Sequence, residues 1–340
     1  MYEIDSTKLL LVHDSHSQYL STIHALEIPA SERRPVQHHR AHIASVLAER
    51  GAWDKRVVGV SFDGTGYGDD GTIWGGEIFF GSVREGFQRV SHLRAAALPG
   101  GDAAASYPIQ AAAGFLAQLD DLPDLAAPPF SFPTRYRDAS QMVRANIRCF
   151  GATSMGRLFD TAAALVGFNR EITFEGQAAM WLERLASRAS TTDAYSFPFS
   201  GGKLDFRPLL AGMIRDRLRG RDGSEIARAF QRGIAEGLHD AVAVLSREHG
   251  VDTVVLSGGV FQNELLLSDI KSLVEAEGLL VWTNHAVPPG DGGISLGQAA
   301  IAAIANPKSG ASLLDINSAE TTSAMRQRIP MSADARSANA

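Results

Sequence analysis

The sequence predicts an α/β protein of two domains built on a mixed or parallel sheet, and three observations carry that prediction. In the second half, short Val- and Leu-rich runs alternate with segments of helical period, the pattern of strands separated by helices packed on sheet faces. The chain has 340 residues, more than one core usually organises, so two domains follow. Hydrophobic residues make up 45% and charged residues 21%, a balance able to fill such cores.

In chain order, the apolar run LLLVHDSH (9–16) leads into a polar stretch holding Pro29 and Pro35. The spacing of Ile43, Val46 and Leu47, with Gly51 as stop, predicts a helix over 41–51. Two β-rich runs flank a Gly/Asp loop within 57–83, a strand–loop–strand unit, and 87–96 reads as a third strand. An Ala-rich helix over 105–119 follows, then a loop rich in Pro and Asp at 120–138. Beyond Thr153 the helical segments are 154–168, 175–189, 224–250 and 263–278, and a final helix covers 292–305. Ser224 is the expected N-cap of the long helix and Gly250 its stop. Strands are expected within 251–260 and 278–285. The expected division is 1–152 for the first domain, 153–305 for the second, and 306–340 for a weakly ordered tail of Ser, Ala, Thr and Asp.

Several function classes are disfavoured. Net charge is −6 with no basic block or interleaved aromatics, so a nucleic-acid groove is not expected. No apolar run reaches the roughly 18–20 residues of a membrane span, and the acidic start is unlike a secretory signal. The single cysteine, Cys149, forms no internal disulfide and suits a reducing cytoplasm. It is expected to be a small apolar side chain rather than a nucleophile.

Chemistry can sit at three Gly/Asp loops. In FDGTGYGDDG (62–71), Asp63 ends a strand and Gly64-Thr65-Gly66 can wrap a phosphate; a plain hairpin turn uses the same residues. In VLSGGVFQN (255–263), Ser257, Gly258 and Gly259 follow a strand and Asn263 opens a helix, either as an anion contact or as its N-cap. In PPGDGGISLGQ (288–298), Asp291 precedes a helix that it can also cap. Three such loops in one chain suggest opposed walls of a phosphate-binding cleft.

Three of the ten histidines lie in VQHHRAH (36–42). On a helix His38 and His42 share a face, and an imidazole pair binds zinc or iron when carboxylates complete the shell. Asp63 and Asp291 are the available partners. The residue after His38 is His39, so this is not the zincin motif; His39 falls on another face and is expected to bond locally. His13 and His16 fit a strand-end ligand contact and a simple turn equally well. Glu175 can cap its helix or grip a ribose hydroxyl.

The ordered motifs VQHHRAHIASVLAE, VSFDGTGYGDDGTIWGGE, TSMGRLFDTAAALVG, FEGQAAMWLE, LSGGVFQNELLL and PPGDGGISLGQAA resemble the carboxy-terminal region of the hydrogenase maturation carbamoyltransferase family HypF. That region is similar to the tRNA threonylcarbamoyltransferase and O-carbamoyltransferase fold. The resemblance runs from about residue 9 to 305 and implies a two-lobed actin/hexokinase-like (ASKHA) ATPase fold with a ligand cleft between the lobes. It further implies His38, His42, Asp63 and Asp291 as ligands of one divalent metal, iron or zinc, with Asp63, His38 and His42 at the reacting end. Gly64, Thr65, Gly66, Ser257, Gly258, Gly259 and Asn263 match nucleotide contacts, with Gly156, Asp160 and Glu175 near the nucleoside.

The cofactors so implied are that metal and ATP or carbamoyl-adenylate, with magnesium a further candidate ion. The reaction implied is passage of a carbamoyl group, drawn originally from carbamoyl phosphate, to the C-terminal cysteine of the partner HypE, on the way to the cyanide ligand of nickel–iron hydrogenase. The nucleophile then belongs to the partner, and no cysteine of this chain is needed. Two departures stand out. Arg40 occupies a position where the family continues its histidine run. The acylphosphatase-like, zinc-finger and adenylating domains that family members carry ahead of this region are not among the 340 residues, and one cysteine cannot build zinc fingers. A short form that only hydrolyses carbamoyl phosphate or ATP, and a non-catalytic nucleotide-dependent docking module, are the alternative expectations.

Overall fold

The computed structural model describes residues 8–190 and 192–304; the tail expected over 306–340 lies outside the described residues. β1 (Leu10–Asp14) and β2 (Glu32–Val36) pair in parallel as a separate two-stranded sheet around α1 (Leu20–Glu27). α1 and β2 carry no hydrophobic pattern of their own in the sequence, because the stretch is short and polar. Pro35 is tolerated because β2 pairs on one side only. α2 (His38–Ala48) follows at once, capped by the Gln37 side chain, which accepts from the Arg40 N–H at 3.0 Å.

β3 (Val57–Tyr67), β4 (Ile73–Ser82) and β5 (Gly86–Leu93) form an antiparallel meander. β3 runs further than expected: Gly64-Thr65-Gly66 sits on the strand itself, where the register slips between Phe62 and Gly66. The turn falls later, organised by Asp70, which accepts from the Thr72 N–H at 3.0 Å and from Trp74 Nε1 at 2.9 Å. β6 (Ala96–Pro99) then leads to α3 (Asp102–Ser106), α4 (Pro108–Leu116) and α5 (Thr134–Ala145) before β7 (Cys149–Ala152). The helix expected over 105–119 starts late because Tyr107, preceding Pro108, is extended at φ −124°. α5 begins inside the stretch expected to be loop; it is a surface helix that buries Ala139 alone, too polar on its other faces to give a helical stripe.

α6 (Met155–Leu165) and α7 (Gln177–Ala186) precede a minimal hairpin of β8 (Phe199–Ser200) and β9 (Lys203–Leu204). α8 (Arg207–Leu218) and the long α9 (Gly223–His249) come next. The cap of α9 is Asp222 rather than Ser224: its carboxylate accepts from the Ser224 N–H at 2.8 Å. Gly250 ends the helix in the left-handed conformation, φ +64°. β10 (Thr253–Ser257), α10 (Glu264–Ala276), β11 (Leu280–Thr283) and α11 (Ile294–Ile304) complete the described chain.

The main sheet has nine strands, ordered β11-β10-β3-β4-β5-β9-β8, with β7 joining β6 to β4. β10 lies parallel to both β3 and β11, so strands from either side of residue 152 share one mixed sheet. Alternation along β3 divides the core. Val58, Val60 and Phe62 face Phe115, Leu158, Phe159 and Phe230 of α4, α6 and α9. Val57 faces Ile43, Val46 and Leu47 of α2 and Ala300 of α11. Burying each large side chain contributes about 1.5–3 kcal/mol. The two layers therefore fix α2 on one face and α6 on the other, and the carboxyl end of β3 emerges between them.

Candidate metal centre and adjoining pocket

Because Gln37 caps α2, the first helical residue is His38, and His42 lies one turn on with its ring centroid 4.9 Å away. Both rings are buried and their Nε2 atoms are 3.2 Å apart. Asp63, arriving on β3, brings Oδ2 to 3.1 Å from His38 Nε2 and 3.2 Å from His42 Nε2. Asp291 brings Oδ1 to 3.3 Å and 3.7 Å from the same two atoms. It stands in a short 3-10 turn, Asp291–Gly293, without capping α11. α11 lies close on α2 because residue 297 is Gly; a methyl there would run into the Ala41 carbonyl. Close helix packing is thus what delivers Asp291, 249 residues after His42, to the same point.

One ligand atom from each of His38, His42, Asp63 and Asp291 lies within 4.8 Å of all the others. Burial alone would discharge His38, but hydrogen bonds with Asp14, Asp291 and Asp63 outweigh it and raise its pKa well above the ordinary value. His42 is raised likewise, its bonds to Asp291 and Asp63 overcoming burial. Asp63 is held well below the usual carboxylate range, since the two imidazoles outweigh its burial, and Asp291 is lowered chiefly by its bonds to His38 and His42. Protons on the rings thus balance acids gathered at one point. A divalent cation can replace them, and two imidazoles with two carboxylates suit zinc or iron.

Asp14, at the end of β1, joins the site without having stood among the sequence candidates. Its Oδ2 lies 2.8 Å from His38 Nδ1, and its Oδ1 accepts from the His16 N–H at 2.8 Å. A carboxylate on the far ring nitrogen turns the Nε2 lone pair toward the centre. The only signal was its place between two histidines in VHDSH. Neither of those histidines joins the cluster: His13 Nδ1 meets the Asp14 carbonyl at 2.8 Å and His16 stacks on Tyr19. His39 pairs with Gln37 at 3.0 Å. Arg40 turns away to the Phe87 carbonyl at 3.0 Å and to Asp69 at 2.6 Å. Burial pushes the Cys149 thiol up, away from a nucleophile's range.

Beside the cluster opens a pocket of about 400 Å³. Asp63, Gly64 and Asp291 form its metal end; Gly156, Arg157 and Asp160 of α6, Glu175 before α7, and the segment Gly259 to Asn263 form its walls. Asn263 caps α10, accepting from the Leu266 N–H at 2.9 Å, and lines the pocket as well. Glu175 does not cap α7, whose N-cap is Gly176; it reaches toward Gly64. Asp160 is buried, and its carboxyl is pushed up to about 6 because burial outweighs the nearby Arg157.

Four of the expected contacts do not line the pocket. Thr65 and Gly66 lie along β3, with Gly66 against the rings of His38 and His39. Ser257 donates to Asn284 Oδ1 at 2.8 Å; Asn284 donates to Ser45 Oγ at 2.9 Å, and Ser45 to the His42 carbonyl at 2.7 Å, so Ser257 braces the histidine helix. Gly258, at φ +105°, packs against the Phe62 carbonyl and donates to the Pro289 carbonyl at 2.9 Å. The N–H groups of Gly64 and Gly259 donate to Asp63 Oδ1 at 2.8 and 3.3 Å.

A larger open groove of about 720 Å³ lies away from this chemistry, lined by Lys55, Arg247 and His249 among others. Its charges are answered across the surface, as where Lys55 meets Asp252 at 2.7 Å, so the smaller pocket is the functional candidate. Among the described residues no helix is long and apolar enough to cross a membrane.

Comparison with known proteins identifies the family of the chain. Residues 59–298 match the family described as carbamoyltransferase, Kae1-like domain, second subdomain, and residues 1–49 match the HypF Kae1-like domain. The chain is 35% identical over 328 residues to the carbamoyltransferase HypF2 of Cupriavidus necator, covering 86% of this chain and 39% of that one. It is 36% identical over 317 residues to a carbamoyltransferase HypF homolog of the same organism, covering 86% and 77%. A crystal structure of full-length HypF in the phosphate- and nucleotide-bound form is similar with a TM-score of 0.78 and 36% identity, over 86% of this chain and 46% of that one. The chain therefore spans less than half of HypF2 and of the solved HypF, and about three quarters of the HypF homolog.

Proposed function

The chain belongs to the Kae1-like carbamoyltransferase domain family of HypF, with its actin/hexokinase-like fold, and we propose that it transfers the carbamoyl group of carbamoyl-adenylate in nickel–iron hydrogenase maturation. The acceptor is the C-terminal cysteine of a HypE-type partner, and carbamoyl phosphate is the upstream source. One observation carries the reading: the two-imidazole, two-carboxylate cluster opens directly into a cavity of about 400 Å³, a size that accepts a nucleotide.

His38, His42, Asp63 and Asp291 would hold one divalent ion, iron or zinc, which when bound supplies a Lewis acid for a carbonyl or phosphoryl oxygen. Asp14 keeps His38 turned to the centre. Gly64, Gly156 and Gly259 let the nucleotide lie close to backbone, and Asp160, Glu175 and Asn263 orient the nucleoside. Thr65, Gly66, Ser257 and Gly258 act from behind, holding β3 and α2 in place. The walls keep water from the carbamoyl carbon until the acceptor sulfur arrives. The acceptor cysteine, already a thiolate, then forms a carbon–sulfur bond, the carbon–oxygen bond to the phosphate breaks, and AMP leaves with the electron pair.

The test supplies metal-loaded protein with labelled carbamoyl-adenylate and an acceptor protein ending in cysteine. Mass spectrometry should find the carbamoyl group on that cysteine, with AMP released in step, and Asp63→Asn should lower transfer at least about 100-fold. No label on the acceptor would overturn the reading. Phosphate released from carbamoyl phosphate or from ATP without acceptor, with no AMP and no label transferred, would favour the hydrolytic short form.

A further inference from the structure

Among the described residues lining the pocket, Arg157 is the one Lys or Arg, and the mechanism above leaves it unused; Asp63, Asp160, Glu175, Glu183 and Asp291 line the same space. A phosphate entering a wall of carboxylates needs a counter-charge near its oxygens. The strand-end N–H groups are otherwise engaged: those of Gly64 and Gly259 donate to Asp63, and that of Gly258 to Pro289. Arg157 is buried on α6, held by Nη1 on the Ala105 carbonyl at 3.0 Å and by an ion pair with Asp160 Oδ2 at 2.9 Å. Its Nε is buried without a hydrogen-bond partner, and its Nη2 lies 3.8 Å from where a methyl on Gly64 would stand. Nη2 thus lies beside Gly64, at the junction between the nucleoside wall and the metal end, with the unpaired Nε buried behind it.

We infer that Arg157 grips the phosphoryl oxygens of the bound nucleotide and selects nucleotides over nucleosides. The inference rests on the nucleotide reading of the pocket. A planar fork with one edge tied to the protein is pre-organised for two oxygens of a phosphoryl group. The competing role is simpler: Arg157 only neutralises Asp160. That role is incomplete in the structure, since the carboxyl remains raised to about 6 despite the arginine.

The two roles separate in the ratio of AMP to adenosine affinity, measured by calorimetry on the full chain in EDTA so that no metal pulls on the phosphate. Arg157→Lys keeps the charge and loses the fork. The double variant Arg157→Gln with Asp160→Asn removes both charges, so that no uncompensated ion is left in the wall. A charged hydrogen bond is typically worth a change of about 10- to 100-fold. The wild type should therefore bind AMP more tightly than adenosine by that factor, the double variant should bind both equally, and the lysine variant should keep part of the preference. A ratio unchanged in both variants, or a wild type that binds adenosine as tightly as AMP, would overturn the inference and leave the nucleotide pocket standing. A wild type that binds neither would overturn the nucleotide reading and the inference with it.

Discussion

At one end of the site, donor atoms from α2, β3 and the turn before α11 converge within 4.8 Å, and both rings already meet carboxylates. At the other end, Glu175 is exposed, the Arg157 Nε has no hydrogen-bond partner, and Asp160 is a buried acid whose charge is only partly answered. The difference is physical. A fully paired cluster is rigid and accepts an ion by giving up protons, whereas a wall with open polar atoms is completed by a ligand that supplies what it lacks. The two ends should therefore respond to different perturbations.

The largest separation is expected from His42→Ala. Affinity for zinc or iron should fall at least about 100-fold, beyond the 10- to 100-fold typical of losing a supporting residue. AMP affinity in EDTA should change by less than about threefold. Calorimetry with each ligand checks this, and a parallel loss of both would mean that the ends act as one unit.

The pocket end should declare itself through pH. Folding raises the Asp160 carboxyl from 3.8 to about 6, so between those values the folded chain keeps a proton that the unfolded chain has lost. Its stabilising contribution is fully present below 3.8 and disappears as pH rises through 6, roughly 2–3 kcal/mol in all. Asp160→Asn cannot titrate, so its stability relative to the wild type should climb across that window by the same amount. Urea unfolding at pH 4, 5, 6 and 7 measures it; a flat difference would place Asp160 in a fully compensated pair.

Asp14→Asn tests whether the metal end depends on its supporting carboxylate. Metal affinity should fall about 10- to 100-fold while the circular dichroism spectrum stays that of the wild type. The smallest effect belongs to Arg40→Ala. Arg40 pairs with Asp69 and the Phe87 carbonyl, away from the rings, so metal content should be unchanged and stability should drop by no more than about 1 kcal/mol. Loss of metal in this variant would return Arg40 to the centre.

What the sequence made legible follows the range of the interactions involved. The long periodic helices α6 and α9 and the buried strands β3 and β10 announced themselves because each carries its own hydrophobic pattern. α1, α5 and β2 did not, since each is short or polar and is held by its neighbours. His38 and His42 were legible as a pair because helical spacing is local; Asp63 and Asp291 were available partners, but a turn and a helix cap use the same residues, and only the resemblance joined them to the histidines. The backbone direction of Gly64, Gly258 and Gly259 was not legible: their N–H groups turn to Asp63 and Pro289, which only packing of β3 on β10 decides. Asp14 and Arg157 escaped for the same reason: Arg157 lies within TSMGRLFDTAAALVG, but nothing local marks either side chain, and both matter through what tertiary contact sets beside them.

Asp291 carries the central claim, because it arrives from the far end of the described chain and could have been a mere helix cap. Metal analysis of purified wild type against Asp291→Ala, with the fold of both checked by thermal melting, tests it most directly. One zinc or iron ion per chain in the wild type, and less than about a tenth of that in a folded variant, is the predicted result. A folded Asp291→Ala protein that keeps its full complement of metal would contradict the account.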